Sequence, residues 1–166
     1  LITVTPTGVM GCFGSGLAVS SIYSLLPLYL QRSGFEVQQI GEMMAVVILG
    51  GMFLQYPIGR WSDRHDRQIV LILIGGVLAV LCGGVMLLPD LPGLLAAMLF
   101  LIGGGVFALY PVAVSHAADR APAGALVRMS QGLLLINALG ATLSPPLITP
   151  LMIHTGNAGL FVALAG

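Results

Sequence analysis

Five stretches of this 166-residue chain, residues 7–30, 37–58, 68–88, 92–114 and 126–148, are apolar for long enough to cross a lipid bilayer. Short connections join them, at residues 31–36, 59–67, 89–91 and 115–125, with another at 154–157. About 20 residues at a rise of about 1.5 Å cover a hydrocarbon core of about 30 Å. Lipid offers backbone N–H and C=O groups no partner, so only helices and closed barrels can span it. None of the runs alternates apolar and polar residues as a barrel strand does, which makes them helices. The expected fold is all-α: a polytopic bundle with five complete membrane helices and a sixth, starting near Ala158, cut short.

Composition closes off the soluble alternatives. Charged residues make up 7% of the chain and hydrophobic ones 57%, whereas a soluble domain carries about 25% charged residues. So few charges cannot cover a water-facing surface, and the main partner is the lipid bilayer. Six arginines balance six carboxylates, which leaves no excess of cations for nucleic acid. Cys12 and Cys82 sit in separate apolar runs, without the paired spacing of a disulfide or metal site. No phosphate-binding glycine loop, H-E-x-x-H sequence or metal-ligand cluster occurs, so neither metal nor cofactor is expected. The chain begins at Leu1 with no basic segment ahead of its first apolar run, so a signal peptide is not expected and the chain reads as a fragment.

Arginine placement sets the expected orientation. Arg60, Arg64, Arg67, Arg120 and Arg128 fall in or beside the second and fourth connections, against Arg32 alone elsewhere. By the positive-inside rule, these two loops and the N-terminus of the chain lie in the cytoplasm. Glycines cluster within the runs, at 50–51, 75–76, 83–84 and 103–105, where small residues let helices approach closely. Pro27 and Pro111 occupy matching places in residues 23–30 (YSLLPLYL) and 107–114 (FALYPVAV), 84 positions apart. The first and fourth helices run in opposite directions, as an inverted three-plus-three repeat requires.

The most informative segment is Gly59-Arg-Trp-Ser-Asp-Arg-His-Asp-Arg67, which holds five of the twelve acidic and basic residues in nine positions. Gly59, Asp63, Arg64 and Arg67 occupy the fixed places of the pattern G-x-L-x-D-R-x-G-R. Trp61 replaces the usual Leu and Asp66 the usual Gly; Asp tolerates turn geometry well. Asp63 is suited to accept N–H bonds at a helix N-terminus while pairing with an arginine, and Gly59 to admit a neighbouring helix. The segment resembles the loop between the second and third helices of each half of the major facilitator superfamily. Leu26-Pro-Leu-Tyr-Leu30, Gln55-Tyr-Pro-Ile-Gly-Arg60, Leu109-Tyr-Pro-Val-Ala113 and Gln131-Gly-Leu-Leu-Leu135 are similar to the C-terminal half of its YcaD-like bacterial members. The resemblance covers nearly the whole chain. It implies that residues 1–166 form the C-terminal transmembrane half of a twelve-helix transporter of the bacterial inner membrane, with the N-terminal half absent. It also implies alternating access around a central site, with the loop motif latching the halves on the cytoplasmic side.

Polar residues inside the spans are costly in lipid and mark cavities or helix contacts. Ser130, Asn137, Ala141 and Ser144 share one face of the fifth helix, with Asn137 near the midplane. Gly16, Ser20, Tyr23, Ser24 and Pro27 form a stripe on the first helix, and Gly104, Ala108, Pro111 and Ser115 one on the fourth, beside Tyr110. Family geometry turns these helices toward the cavity, which makes Tyr23, Tyr110, Asn137 and Ser144 the candidate substrate contacts; the alternative is packing between helices. Glu42 and His116 are the candidates for ion coupling. Glu42 is also near enough to the outer interface to be a plain interfacial carboxylate, and His116 can be a loop-facing histidine that titrates near neutral pH. His154 belongs to an external turn.

A catalytic centre finds no support. Ser62, Asp63 and His65 are close in sequence but lack a pocket or oxyanion donors. Phe13-Gly14-Ser15-Gly16 misses the G-x-S-G pattern of intramembrane serine proteases at its first glycine. The expected function is secondary active transport of a small solute, with a non-transporting scaffold or sensor as the alternative and an intramembrane hydrolase behind both.

Overall fold

The computed structural model of the chain describes residues 6–87, 92–122 and 124–155. They form five helices and no strand: α1 (Pro6–Arg32), α2 (Val37–Ser62), α3 (Arg67–Leu87), α4 (Pro92–Ala118) and α5 (Leu126–Thr155). All five are long and apolar enough to cross a membrane. The expected sixth helix and His154's side chain lie outside the described residues. Most helices outrun the apolar stretches that announced them. α2 continues through Gly59 to Ser62 and α4 to Ala118, because the backbone ladder needs no apolar side chain once a helix leaves hydrocarbon. α5 passes Pro145 and Pro146 without ending; each proline costs one hydrogen bond, which a packed membrane helix tolerates.

The helix ends follow local chemistry. Glu36 caps α2 reciprocally with Gln39, whose Oε1 accepts the Glu36 N–H at 2.9 Å. Asp66 caps α3 by accepting the N–H of Gln68 on Oδ1 at 2.9 Å. The glycine usual at this position is therefore replaced by a capping carboxylate, and the turn keeps ordinary negative φ. Positive φ appears at Gly34 (87°) after α1 and Gly124 (81°) before α5, where the connection turns tightly.

α4 is the hub, packed against α2, α1 and α3, while α5 packs mainly on α1. α3 presents Val70, Ile74, Leu78 and Cys82, a buried stripe at four-residue spacing. A Cβ on Gly105 would meet Leu78, and one on Gly84 would meet Met98. Two helix pairs come closer still. Gly16 of α1 faces the carbonyl of Asn137, and Gly140 of α5 faces that of Phe13. Gly50 of α2 likewise faces the carbonyl of Phe100, and Gly103 of α4 that of Val47. In each pair, both helices offer a glycine and the carbonyl three residues before it, so a Cα–H lies against an oxygen in both directions.

This equivalence pairs α1 with α4 and α5 with α2, as an inverted repeat does. Phe13 and Gly16 correspond to Phe100 and Gly103, an offset of 87, three residues longer than the offset of 84 that aligns the prolines. Tyr23 and Phe107, the leading residues of the two proline segments, meet edge to face with ring centroids 6.2 Å apart. The proline alignment therefore marks residues that meet each other between α1 and α4, while the glycine alignment marks equivalent helix contacts.

Candidate functional site

At the arginine-rich end of the bundle, Arg67 joins three helices. Its Nη2 lies 3.1 Å from Asp63 Oδ1, one turn earlier, and its Nε 2.7 Å from Asp119 Oδ2. Asp63 closes α2, Arg67 opens α3 and Asp119 follows α4, so one guanidinium fork ties all three ends. Two motif expectations need correction. Asp63 stands at the C-terminal end of α2, where its own N–H donates to Gly59 O; Asp66 is the residue that caps a helix N-terminus. Among the described residues no helix closes on Gly59, where a Cβ would meet nothing within 4 Å. It instead borders a cleft of about 410 Å³ between α2 and α4. Arg64 is solvent-exposed. Asp119 escaped the sequence reading; its signal was an acidic residue in the second arginine-bearing connection, too far along the chain to be paired with Arg67 by spacing.

His116 also departs from expectation. It is not loop-facing: only 2% of its surface is exposed, in the last turn of α4. Its Nδ1 lies 3.0 Å from Arg120 Nη1. A guanidinium can only donate, so Nδ1 accepts and the ring is the neutral tautomer with its proton on Nε2. Glu42 is exposed on α2 and accepts a bond from Gln38 Nε2 at 3.1 Å.

The polar stripe of α5 turns toward α1. Asn137 Nδ2 donates to Cys12 O at 3.0 Å and to Ser15 Oγ at 2.7 Å, while Ser15 Oγ donates to Cys12 O. Only the nitrogen of the carboxamide can face a carbonyl, which fixes the flip of the side chain. Two turns on, Ser21 Oγ donates to Leu17 O and lies 2.7 Å from Ser144 Oγ. With its single proton committed, Ser21 accepts from Ser144, which is fully buried. Ser144 and the amide nitrogen of Asn137 are therefore engaged in the α1–α5 contact. Tyr23 is 47% exposed beside Phe107, and Tyr110 is half-buried next to Pro111. None of these four side chains lines the cleft or the larger cavity of about 800 Å³ among α1, α3, α4 and α5. That cavity is lined mainly by apolar side chains and is bordered by Gly75 and Gly76, where an added Cβ would meet nothing among the described residues.

The residues considered for catalysis are dispersed. Asp63 is held by Arg67, His65 bonds Trp61 O at 3.0 Å, and Ser62 is buried. Among the described residues, no three His, Cys, Asp or Glu side chains gather as metal ligands. Cys12 and Cys82 are buried and unpaired.

Comparison with known proteins decides the family. The family model described as Major Facilitator Superfamily matches residues 8–166. The chain belongs to the Major Facilitator Superfamily. It is similar to an uncharacterized MFS-type transporter of Yersinia pestis (strain Pestoides F), with 38% identity over 159 residues covering 96% of this chain and 41% of that protein. It is also similar to the uncharacterized MFS-type transporter YcaD of Escherichia fergusonii, with 37% identity covering 95% of this chain and 40% of the relative. This chain thus spans about two fifths of the length of the curated relatives it matches. No solved structure matches it. Membership in the Major Facilitator Superfamily makes the chain part of a multi-pass membrane protein and sets the hydrolase reading aside, since these relatives are named as transporters.

Proposed function

We propose that this chain is the C-terminal half of a secondary active transporter that moves a small solute across a bacterial inner membrane by alternating access. Its partner in that role is an N-terminal half, and α2 and α5, the least buried of the five helices, leave the most surface for it. The observation that carries the reading is the Arg67 clasp: within a superfamily member, it ties the ends of α2, α3 and α4 at the loop motif. In this reading Gly59, Asp63, Arg64 and Arg67 form the conformational latch on the cytoplasmic side, and the N-terminus of the chain is cytoplasmic. Asn137 supports a solute contact through Oδ1, since its hydrogen bonds to α1 are both made by the amide nitrogen. Tyr23 and Tyr110 are the further candidates. His116 is a stronger coupling candidate than Glu42: protonation of Nδ1 would abolish its capacity to accept from Arg120 and place two cations together.

The test is solute flux by the full-length protein in proteoliposomes. Asp63→Asn leaves membrane insertion intact and slows transport. Wild-type flux in that variant would sink the latch assignment, and no flux by the intact protein for any solute class would favour a scaffold.

A further inference from the structure

The cleft at the arginine-rich end has an imbalance of hydrogen-bonding groups that the clasp does not use. It lies between the last two turns of α2 and residues 108–115 of α4, and its volume of about 410 Å³ is that of a small-molecule site. Arg67 and Asp63 lie on its wall, but they are committed to each other and to Asp119. Arg60 also lines the cleft and has no carboxylate partner among the described residues; its Nη1 donates to Tyr56 Oη at 3.2 Å. Having accepted that bond, the Tyr56 phenol still has its own proton to donate. Ser62, on the same wall, has a buried hydroxyl with no partner among the described residues, and only 2% of its surface is exposed. A buried hydroxyl left without a partner is costly. Two exposed donors, the rest of the Arg60 guanidinium and the Tyr56 phenol, therefore stand beside a buried serine hydroxyl that has no partner among the described residues.

The missing component is an acceptor with negative charge and several oxygens. A phosphate group meets this need better than a carboxylate, because it can accept from a guanidinium fork and two hydroxyls at once. The surroundings favour an anion, with five arginines against Asp63, Asp66 and Asp119 at this end of the bundle. We infer that the cleft binds a phosphate group through Arg60, Tyr56 and Ser62. The phosphate comes either from a lipid headgroup, since the helices leave the bilayer at this level, or from a soluble phosphate. The inference goes beyond transport and is read by binding without flux.

The full-length protein separates the two sources. Inorganic phosphate is titrated calorimetrically onto protein in lipid-free detergent, and vesicles of phosphatidylglycerol or phosphatidylcholine are titrated in parallel. Saturable binding of inorganic phosphate assigns a soluble ligand; preference for phosphatidylglycerol without a response to inorganic phosphate assigns a headgroup. In the responding arm, Arg60→Gln weakens binding about tenfold or more, Ser62→Ala weakens it several-fold, and Arg60→Lys retains part of it. Arg128→Gln, at the same end but outside the cleft, leaves it unchanged. Arg60 is exposed and Ser62→Ala removes only an unpartnered hydroxyl, so these variants keep the fold, as unfolding midpoints will verify. No saturable response in either arm overturns the inference. So does a response that Arg60→Gln leaves untouched or that Arg128→Gln reduces equally.

Discussion

Asn137 occupies in α5 the place that Val47 occupies in α2, three residues before the glycine that meets the partner helix. The repeat thus carries an apolar residue in one copy and a carboxamide in the other. Hydrogen bonds between membrane helices contribute about 0.6 kcal/mol on average and up to about 1.7 kcal/mol. Asn137→Ala is accordingly expected to lower the stability of the full-length protein by about 1 kcal/mol in a detergent unfolding titration. Asn137→Asp should destabilise more than Asn137→Ala, because a carboxylate oxygen would then face the Cys12 carbonyl. The Arg67 clasp behaves differently. Its carboxylates are more than half exposed (66% for Asp63, 54% for Asp119), and such pairs contribute about 0.2–1 kcal/mol. On the proposed latch reading, its role is to set the relative position of three helix ends. Asp119→Asn should therefore slow flux as Asp63→Asn does while barely moving the unfolding midpoint; a large loss of stability with unchanged flux would refute a latch role for Asp119.

Among the helices, the glycines separate into two kinds that composition cannot distinguish. Gly50 and Gly103 lie where any Cβ would enter the facing backbone. Gly75 and Gly76 border an apolar cavity with open space around them. Gly103→Val is expected to push α2 from α4 and cost about 1–3 kcal/mol, the usual penalty of overpacking. Gly75→Ala should be neutral or stabilising by up to about 1 kcal/mol, since alanine is the better helix former. Comparing unfolding midpoints of the two variants checks both. Packing accounts for the glycines of the α2–α4 contact, while Gly75 and Gly76 meet no helix among the described residues. A fuller signal was present, because F-x-x-G recurs at 13–16 and 100–103, and L-G recurs at 49–50 and 139–140. The proline alignment, at an offset three residues shorter, does not register these glycines.

For the whole molecule, alkaline phosphatase fused after Gly34 should be active, and fused after His65 inactive, if the arginine-rich end faces the cytoplasm as proposed. The reverse pattern would invert the orientation. The five membrane helices, the family and the loop motif were legible in the residues alone, whereas the helix ends beyond the apolar runs were not. Bilayer thickness imposes a condition on consecutive residues, and the motif is a spacing within nine positions, so both are properties of the chain as a line. Which polar faces serve α1–α5 contact, which glycines pack, that Asp119 completes the clasp and that His116 is enclosed were decided only in three dimensions. Each depends on which helix faces meet: Asn137 reaches Cys12 across 125 residues, and Arg67 reaches Asp119 across a helix hairpin. Side-chain chemistry states what a residue can bond; only the packing of α1 with α5, and of α4 with α2 and α3, settles which partner it finds.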